Sequence, residues 1–218
     1  MIRVAFQERL DEVLGNLLAM GDLVDNAIMR AVQSLAEQDA DLAQQVIAGD
    51  RRVNQSMYDL EEKTLVLIAT QQPLAGDLRT LMSATSIATE LERMGDYAEG
   101  IANITLRGFD KPLLKPLIDI PRMAELGREL LRGQLQAFID RDVERARMLA
   151  ARDDEIDELF DQVYRELLTF MAEDPRTITR ATHLIWVAHN LERIGDRTTN
   201  IGERVVFLVT GKVVELNP

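Results

Sequence analysis

The chain has 218 residues and a formal net charge of −12, and hydrophobic residues make up 46% of it. That hydrophobic content excludes an intrinsically disordered chain, and the length suffices for one large domain or two small ones. The acidic balance argues against binding to nucleic acid or to anionic lipid, because both require a basic surface. The sequence has no cysteine, which excludes disulfides and thiolate metal sites and fits a reducing compartment.

The composition favours helices and gives no sign of a membrane segment. Aromatic residues are only 5% of the chain, which favours packed helices over sheets. No apolar run reaches the ~20 residues of a transmembrane helix. The first residues also lack the apolar core of a signal peptide. We therefore expect a cytoplasmic protein without a transmembrane segment that binds no nucleic acid.

Apolar residues recur at spacings of three and four along most of the chain, which predicts long amphipathic helices. The predicted helices cover residues 6–37 with a continuation to 47, 50–72, 77–107, 123–139 with a continuation from 142 to 152, 153–173, and the stretch from the Asp174–Pro175 turn to 209. Gly49 is predicted to end the first continuation, because glycine is common just after a helix C-terminus.

Residues 109–120 interrupt this helical pattern. Pro112 and Pro116 fall inside the stretch, Gly108 precedes it and Pro121 follows it. Proline lacks the amide hydrogen of other residues and disfavours helix interiors. We therefore predict a first domain in residues 1–108, a linker in residues 109–120 and a second domain in residues 121–218.

The sequence contains two copies of one motif, L-E-R-[M/I]-G-D, at residues 91–96 and 191–196. Asp50 and Asp153 match at a similar offset, as do Pro73 and Pro175. A period of about 100 residues indicates a duplicated domain rather than a solenoid. Three helices with short connections form an antiparallel bundle. We therefore predict an all-α fold of two tandem antiparallel three-helix bundles related by internal duplication.

Each motif copy places a glutamate and an aspartate four residues apart, at Glu92 and Asp96 and at Glu192 and Asp196. Side chains at this spacing lie on one helix face, roughly 6 Å apart along the axis. The acidic line continues to Glu99 in the first half, whereas Thr199 follows in the second. Like charges at this spacing repel, so a matched repulsion in both halves indicates a bound cation.

The preceding helix of each half can be placed by counting back from the turn. Counting puts Asp157 opposite Glu192 and Asp153 opposite Asp196, and it puts Asn54 opposite Asp96 with Asp50 one turn further along. Two candidate metal sites result, one formed by Asp50, Asn54, Glu92 and Asp96, the other by Asp153, Asp157, Glu192 and Asp196. Oxygen ligands suit magnesium, calcium, manganese or iron, and suit zinc less strongly.

The two predicted sites differ in charge, because Asn54 is neutral. Hard cations bind more tightly as the number of carboxylates rises, so we expect the second site to be the stronger. In the absence of metal, neighbouring carboxylates should raise one another's pKa. Gly95 and Gly195 weaken their helices by about 1 kcal/mol each relative to alanine, which predicts close approach of a neighbouring backbone or a ligand at both positions.

The residues alone leave other readings open. The acidic lines can be solvated helix faces, with Arg93 and Arg193 in surface ion pairs of small value. The chain would then be a ligand-free structural helical adaptor. A hydrolase or oxidase built on carboxylate-bound metal is a further alternative. His189 either reaches the edge of the second site or packs on the helix surface.

The motif copies, together with the Asp-x-x-x-Asp pair at Asp153 and Asp157, resemble the PhoU family of bacterial phosphate-uptake regulators over essentially the whole chain. The resemblance implies that these carboxylates bind divalent or trivalent metal ions as clusters on the bundle surface. Iron, zinc, manganese, magnesium and calcium are the candidates. Asp50 matches the family pattern, whereas Asn54 stands where that pattern has an acid.

The resemblance to the PhoU family also implies a function. Family members are not enzymes, and they act as negative regulators of the phosphate regulon and of high-affinity phosphate uptake. They bridge the ATPase subunit of the phosphate ABC transporter and the sensor histidine kinase of the phosphate two-component system. The resemblance further implies a homodimer that lies in the cytoplasm, peripheral to the inner membrane through its partners.

Overall fold

The computed structural model of the chain describes residues 2–108 and 112–216. This part of the chain forms α1 (Ile2–Glu37), α2 (Ala40–Gln71), α3 (Ala75–Gly108), α4 (Asp119–Asp140), α5 (Val143–Ala150), α6 (Asp154–Glu173) and α7 (Ile178–Thr210), with a 3₁₀ turn at Pro175–Thr177. The described residues contain no β-strand, so the predicted all-α class is confirmed. Within the same ranges, no helix has both the length and the apolarity required to cross a bilayer.

The helices pack as two three-helix bundles in chain order. In the first bundle α1, α2 and α3 contact one another, and in the second α4 and α6 pack on α7, with α5 against α4 and α7. The bundles are joined where α3 packs on α7 and α1 packs on α4. Their buried apolar side chains form one continuous core. The predicted tandem bundles are thus confirmed, while the domain limits stay a prediction, since residues 109–111 lie outside the described chain.

Helix α2 runs without interruption through Gly49, so the predicted helix end there is wrong. A glycine inside a helix costs about 1 kcal/mol relative to alanine but does not stop the helix. Buried side chains on both sides of the glycine continue along one face of α2, including Val46 and Val53. Packing of this face on α1 and α3 holds the helix together across the weak position.

The second half has a real break at the equivalent place, as predicted. Asp142 caps α5 by accepting a hydrogen bond from the Arg145 amide at 2.9 Å. After α5 the backbone forms a tighter turn. The Arg152 amide donates a hydrogen bond to the Leu149 carbonyl at 3.1 Å, and the Asp153 amide donates one to the Ala150 carbonyl at 3.2 Å. Such i to i−3 bonds mark a tighter 3₁₀-like turn. The second half therefore has two helices where the first has one.

Helix α4 begins earlier than predicted, at Asp119 rather than Met123. Its start lies inside the predicted linker of residues 109–120. Pro121 belongs to the first turn of α4, where the missing amide hydrogen has no intrahelical partner to lose. Reading Pro121 as a helix breaker was therefore wrong, because proline breaks helix interiors and not helix starts.

Helices α3 and α7 meet in an antiparallel seam. Near one end, the Arg79 Nε donates to the Leu208 carbonyl at 3.2 Å. Nearer the middle, Glu90 Oε2 accepts hydrogen bonds from Asn200 Nδ2 at 3.0 Å and from Arg197 Nη1 at 3.3 Å. The two motif copies therefore lie side by side on adjacent helices.

An ion pair connects α1 to α4 on the other side of the molecule. Arg128 donates to both oxygens of Asp25, from Nε at 3.1 Å and from Nη2 at 2.9 Å. Arg132 Nη1 also donates to Asp25 at 3.1 Å. The side chains of Arg128 and Asp25 are only 14% and 16% exposed. We call this group the α1–α4 clamp.

Candidate metal centre

A buried glycine in each motif copy gives room to a carboxylate of the preceding helix. A Cβ atom added at Gly95 would lie 3.2 Å from Asp50 Oδ1. A Cβ atom at Gly195 would collide with the Asp153 carboxylate and lie 2.9 Å from Ile156 Cδ1. Close approach is thus present in both halves, but the neighbour is a side chain and not the predicted backbone or ligand. In each half the missing side chain lets a carboxylate lie against the motif helix, that of Asp50 in α2 or that of Asp153 in the turn before α6.

Three carboxylates converge in the first half. Oxygen atoms of Asp50, Asp96 and Glu99 all lie within 4.8 Å of one another. We call these three residues the first acidic cluster. Asp50 Oδ2 accepts a hydrogen bond from Asn54 Nδ2 at 2.8 Å. Its other oxygen, Oδ1, is buried, and no described residue donates a hydrogen bond to it. Three anionic groups this close repel one another unless a cation lies among them.

The other two residues of the predicted first site adjoin this cluster. Glu92 does not belong to the group within 4.8 Å, but burial, the charge of Asp96 and the charge of Asp50 all raise its pKa. Asn54 orients Asp50 through its amide, and its own Oδ1 is buried without a donor in the described chain. The structure therefore brings together Asp50 and Asp96 as predicted and adds Glu99.

The predicted carboxylates of the second half are spread more widely. Asp153 is buried, with 1% exposure, and its Oδ2 accepts a hydrogen bond from Thr199 Oγ1 at 3.2 Å. Asp157 is exposed, and Asp196 is the carboxylate whose charge acts on it most strongly. Counting predicted Asp153 opposite Asp196, and the structure places Asp153 against Gly195 and Thr199, which lie on either side of Asp196 on α7. We call Asp153, Asp157, Glu192 and Asp196 the second acidic cluster.

Two basic side chains of the chain itself contact the second acidic cluster. Arg193 Nη1 donates to Asp196 Oδ2 at 2.5 Å. His189 Nδ1 lies 3.2 Å from Glu192 Oε2, so His189 does reach the edge of this site. Tyr97 of α3 is the neighbour that contributes most to the raised pKa of the Arg193 guanidinium, which connects the site to the seam. Among the described residues, the second cluster contains no three carboxylates within 4.8 Å of one another.

The first acidic cluster fits a hard metal ion. It offers three carboxylates, a buried oxygen without a donor and a neutral carbonyl oxygen at Asn54. Magnesium, manganese and calcium prefer oxygen ligands of this kind, and iron also accepts them. Such an ion would be held by Asp50, Asp96 and Glu99, and it would supply the positive charge that the cluster lacks.

Comparison with known proteins places the chain in a family. The model of the PhoU domain matches twice, over residues 17–105 and 120–205. The chain belongs to the PhoU family. Each matched segment contains one motif copy with its glycine and acidic pair, so the resemblance inferred from the motifs is confirmed.

Individual PhoU relatives match over nearly the whole chain. The phosphate-specific transport system accessory protein PhoU homolog of Clostridium acetobutylicum is 35% identical over 218 residues, which is 100% of both chains. The homolog of Aquifex aeolicus is 39% identical over 95% of this chain and 94% of its own. The crystal structure of PhoU from Pseudomonas aeruginosa superposes with a TM-score of 0.90 at 35% identity, covering 95% of this chain and 100% of that one.

Sequence reasoning missed Glu99, which completes the first acidic cluster. The signal was present, because Glu99 continues the acidic line of α3. Comparison of the two PhoU repeats did not point to Glu99, because the equivalent residue of the second repeat, Thr199, is not acidic. The search for ligands common to both halves therefore passed over a ligand that only one half has.

Carboxyl groups of both halves have pKa values raised above the ordinary range. For Asp50 the main cause is burial, followed by the negative charges of Glu99 and Asp96. For Glu92 and Glu192 the main cause is again burial, followed in each case by the aspartate four residues on. The pKa increase expected among clustered carboxylates is thus present in both PhoU repeats.

In the metal-free protein, the contribution of these carboxyl groups to stability should fall as the pH rises from about 4 towards neutrality. A carboxyl group with a raised folded pKa holds its proton more tightly in the folded state than in the unfolded chain. Its stabilising contribution is full below the unfolded pKa and is lost as the pH rises through the folded pKa. Urea unfolding of Glu92→Gln/Glu192→Gln across this range should give a shallower decline than wild type.

The comparison with wild type isolates the two glutamates. Other groups act in the opposite direction, since ion pairs lower the pKa of Glu129 and Asp174. Those groups are unchanged in the variant, so they cancel in the difference between the two pH profiles. Parallel profiles would contradict the assigned pKa increases.

Proposed function

We propose that the chain is a metal-binding regulatory adaptor, a negative regulator of the phosphate regulon and of high-affinity phosphate uptake. The observation that carries this proposal is the full-length similarity to PhoU proteins. Those relatives are named phosphate-specific transport system accessory proteins, and the PhoU of Streptococcus pneumoniae is described as a phosphate transport system regulatory protein.

The adaptor acts by contact with other proteins and not by catalysis. Its partners are the ATPase subunit of the phosphate ABC transporter and the sensor histidine kinase, which it bridges as a homodimer on the cytoplasmic side of the membrane. The net charge of −12 suits docking to basic surfaces. Exposed apolar side chains on α7, Ile178 at 48% and Trp186 at 46%, suit protein contact, since tryptophan is enriched at interfaces.

The metal supports the adaptor by neutralising surface carboxylates. Binding to the folded state alone would stabilise the bundle that holds the ion. Iron, zinc, manganese, magnesium and calcium remain the candidates. Elemental analysis of the dialysed protein separates this proposal from a ligand-free helical adaptor. Turnover assays with phosphoesters, and with iron plus oxygen, separate it from a hydrolase or an oxidase.

Deleting the gene should derepress phosphate-import genes in cells grown in rich phosphate. The reason is that a negative regulator holds these genes off when phosphate is plentiful. Transcript levels of the transporter genes measure the effect, and re-expression of the intact chain should restore repression. Unchanged transcript levels in the deletion strain would contradict the regulatory proposal.

A further inference from the structure

A crevice between α1 and α2 carries positive charge in a chain whose net charge is −12. Its empty space is about 470 Å³, including the solvent at its mouth. We propose that this α1–α2 crevice is a binding site for a small oxyanion of the phosphate type, held by Arg30 and Arg52. Binding at this crevice depends neither on the metal nor on the adaptor role proposed above.

The α1–α2 crevice combines an apolar floor with polar walls. Leu23, Val46 and Val53 line the floor and pack on the hydrophobic core. Gly49 keeps the space open, since a Cβ atom added there would meet no atom within 4 Å. The polar residues that line the crevice are neutral or basic, and none of those described is acidic: Asn26, Arg30, Gln45 and Arg52. A negatively charged group can therefore enter without meeting a carboxylate of the lining.

The two arginines of the crevice are not neutralised within the described chain. Arg30 Nη2 donates to Gln45 Oε1 at 2.5 Å, and this partner carries no charge. Neither Arg30 nor Arg52 forms an ion pair with a described residue. A guanidinium presents its N–H donors in a planar fork that matches the oxygens of a phosphate group. A small oxyanion is therefore the class of ligand that these two side chains fit.

The second PhoU repeat has its own carboxylates at the equivalent place. Arg152 donates there to Glu129 at 2.7 Å and to Glu155 at 2.8 Å. The two matched segments begin at residues 17 and 120, and the same offset pairs Glu129 with Asn26 and Glu155 with Arg52. The first repeat thus has a neutral and a basic residue where the second has the two acids that neutralise its arginine.

The second repeat also fills the space itself. A Cβ atom added at Gly133 of α4 would lie 2.7 Å from Leu149 Cδ1 of α5, so the leucine packs closely on this glycine. The same offset pairs Gly133 with Arg30 and Leu149 with Val46. In the first repeat the shorter valine leaves the crevice open beside the arginine. The space and the uncompensated charge therefore occur together in the first repeat.

The test is a calorimetric titration of the full-length, chelator-treated protein with orthophosphate at constant ionic strength. Chelation ensures that phosphate held through a metal ion does not contribute. Arg30→Gln and Arg52→Gln should each weaken phosphate binding by at least about tenfold, the loss expected for one charge-assisted hydrogen bond. Arg51→Gln removes the same charge from an exposed side chain outside the crevice lining. It should weaken binding by less than about twofold, because solvent and salt screen its charge.

A second pair of variants tests the comparison between the repeats. Asn26→Glu introduces the acid that the second repeat has, so it should also weaken phosphate binding by at least about tenfold. Gln44→Glu makes the same charge change at an exposed position outside the crevice lining and should leave phosphate binding unchanged. Circular dichroism confirms that each variant is folded.

The shape of the anion provides the last control. Sulfate should compete with phosphate for the crevice, whereas chloride at the same ionic strength should not. Three results would overturn the inference: no saturable phosphate binding by wild type, losses in Arg51→Gln or Gln44→Glu as large as in the crevice variants, or competition by chloride equal to that by sulfate. None of these results bears on metal binding or on the regulatory role, since the protein is metal-free and no partner is present.

Discussion

Replacing Gly195 by alanine should destabilise the protein by about 1–3 kcal/mol, the usual cost of forcing an extra methyl group into a packed interior. The new Cβ would collide with the Asp153 carboxylate and lie 2.9 Å from Ile156 Cδ1. Asp153 is 1% exposed and is hydrogen bonded to Thr199, so it has little space to move. This collision outweighs the gain of about 1 kcal/mol in helix propensity.

Two other glycines serve as matched controls for Gly195→Ala in urea unfolding. At Gly49, also inside a helix, an added Cβ meets no atom within 4 Å, so alanine should stabilise the protein by about 0.5–1 kcal/mol. At Gly95 the added Cβ lies 3.2 Å from Asp50, which is half-buried and can shift, so its effect should fall between the two. If Gly195→Ala were as stable as Gly49→Ala, the tight contact at Gly195 would be disproved.

Breaking the α1–α4 clamp with Asp25→Ala should also be costly, by about 2–3 kcal/mol. Removing one partner of a buried ion pair leaves the other charge buried and uncompensated, which costs about 3–5 kcal/mol when burial is complete. The clamp is slightly exposed, and Arg128 keeps a second partner in Glu125 at 2.8 Å, so the loss is smaller. Thermal and urea unfolding both measure it.

An exposed ion pair provides the control for the clamp. Glu12 pairs with Lys63 at 2.6 Å, but their side chains are 58% and 43% exposed. Glu12→Ala should therefore change the free energy of unfolding by less than about 1 kcal/mol. An equally small effect of Asp25→Ala would show that the clamp does not hold the two bundles together.

The sequence predicted the fold well because helix periodicity and the repeated motif are strong, local signals. It failed at Gly49 and Pro121, where the outcome depends on context. Packing of Val46 and Val53 carries α2 through a glycine, and a first-turn position accommodates a proline in α4. Residue preferences are weak compared with tertiary packing, so such breaks cannot be assigned from one residue alone.

The candidate site was harder to predict than the fold. The motif identified Asp96 and Glu192 as members of acidic lines, but the partners across the bundle depend on the relative shift of two helices. In the structure Asp153 lies against Gly195 and Thr199, on either side of the predicted Asp196. Side-chain direction also decided the result, because Arg193 points to Asp196 while Arg93 lies in solvent. Neither property can be obtained by counting residues.

The uninterrupted course of α2 has a mechanical consequence. Asp50 lies on the same rigid rod as Leu65, an exposed apolar residue (68%) fifteen positions and about 22 Å away along the axis. A tilt of α2 at Asp50 would therefore also displace that distant surface. In the second half α6 likewise runs unbroken from Asp154 to Glu173, but the turn at residues 151–153 separates it from α5 on the other side. A tilt at the acidic cluster of the first bundle would thus move both ends of one long helix, whereas a tilt of α6 is not passed to α5 through a continuous helix.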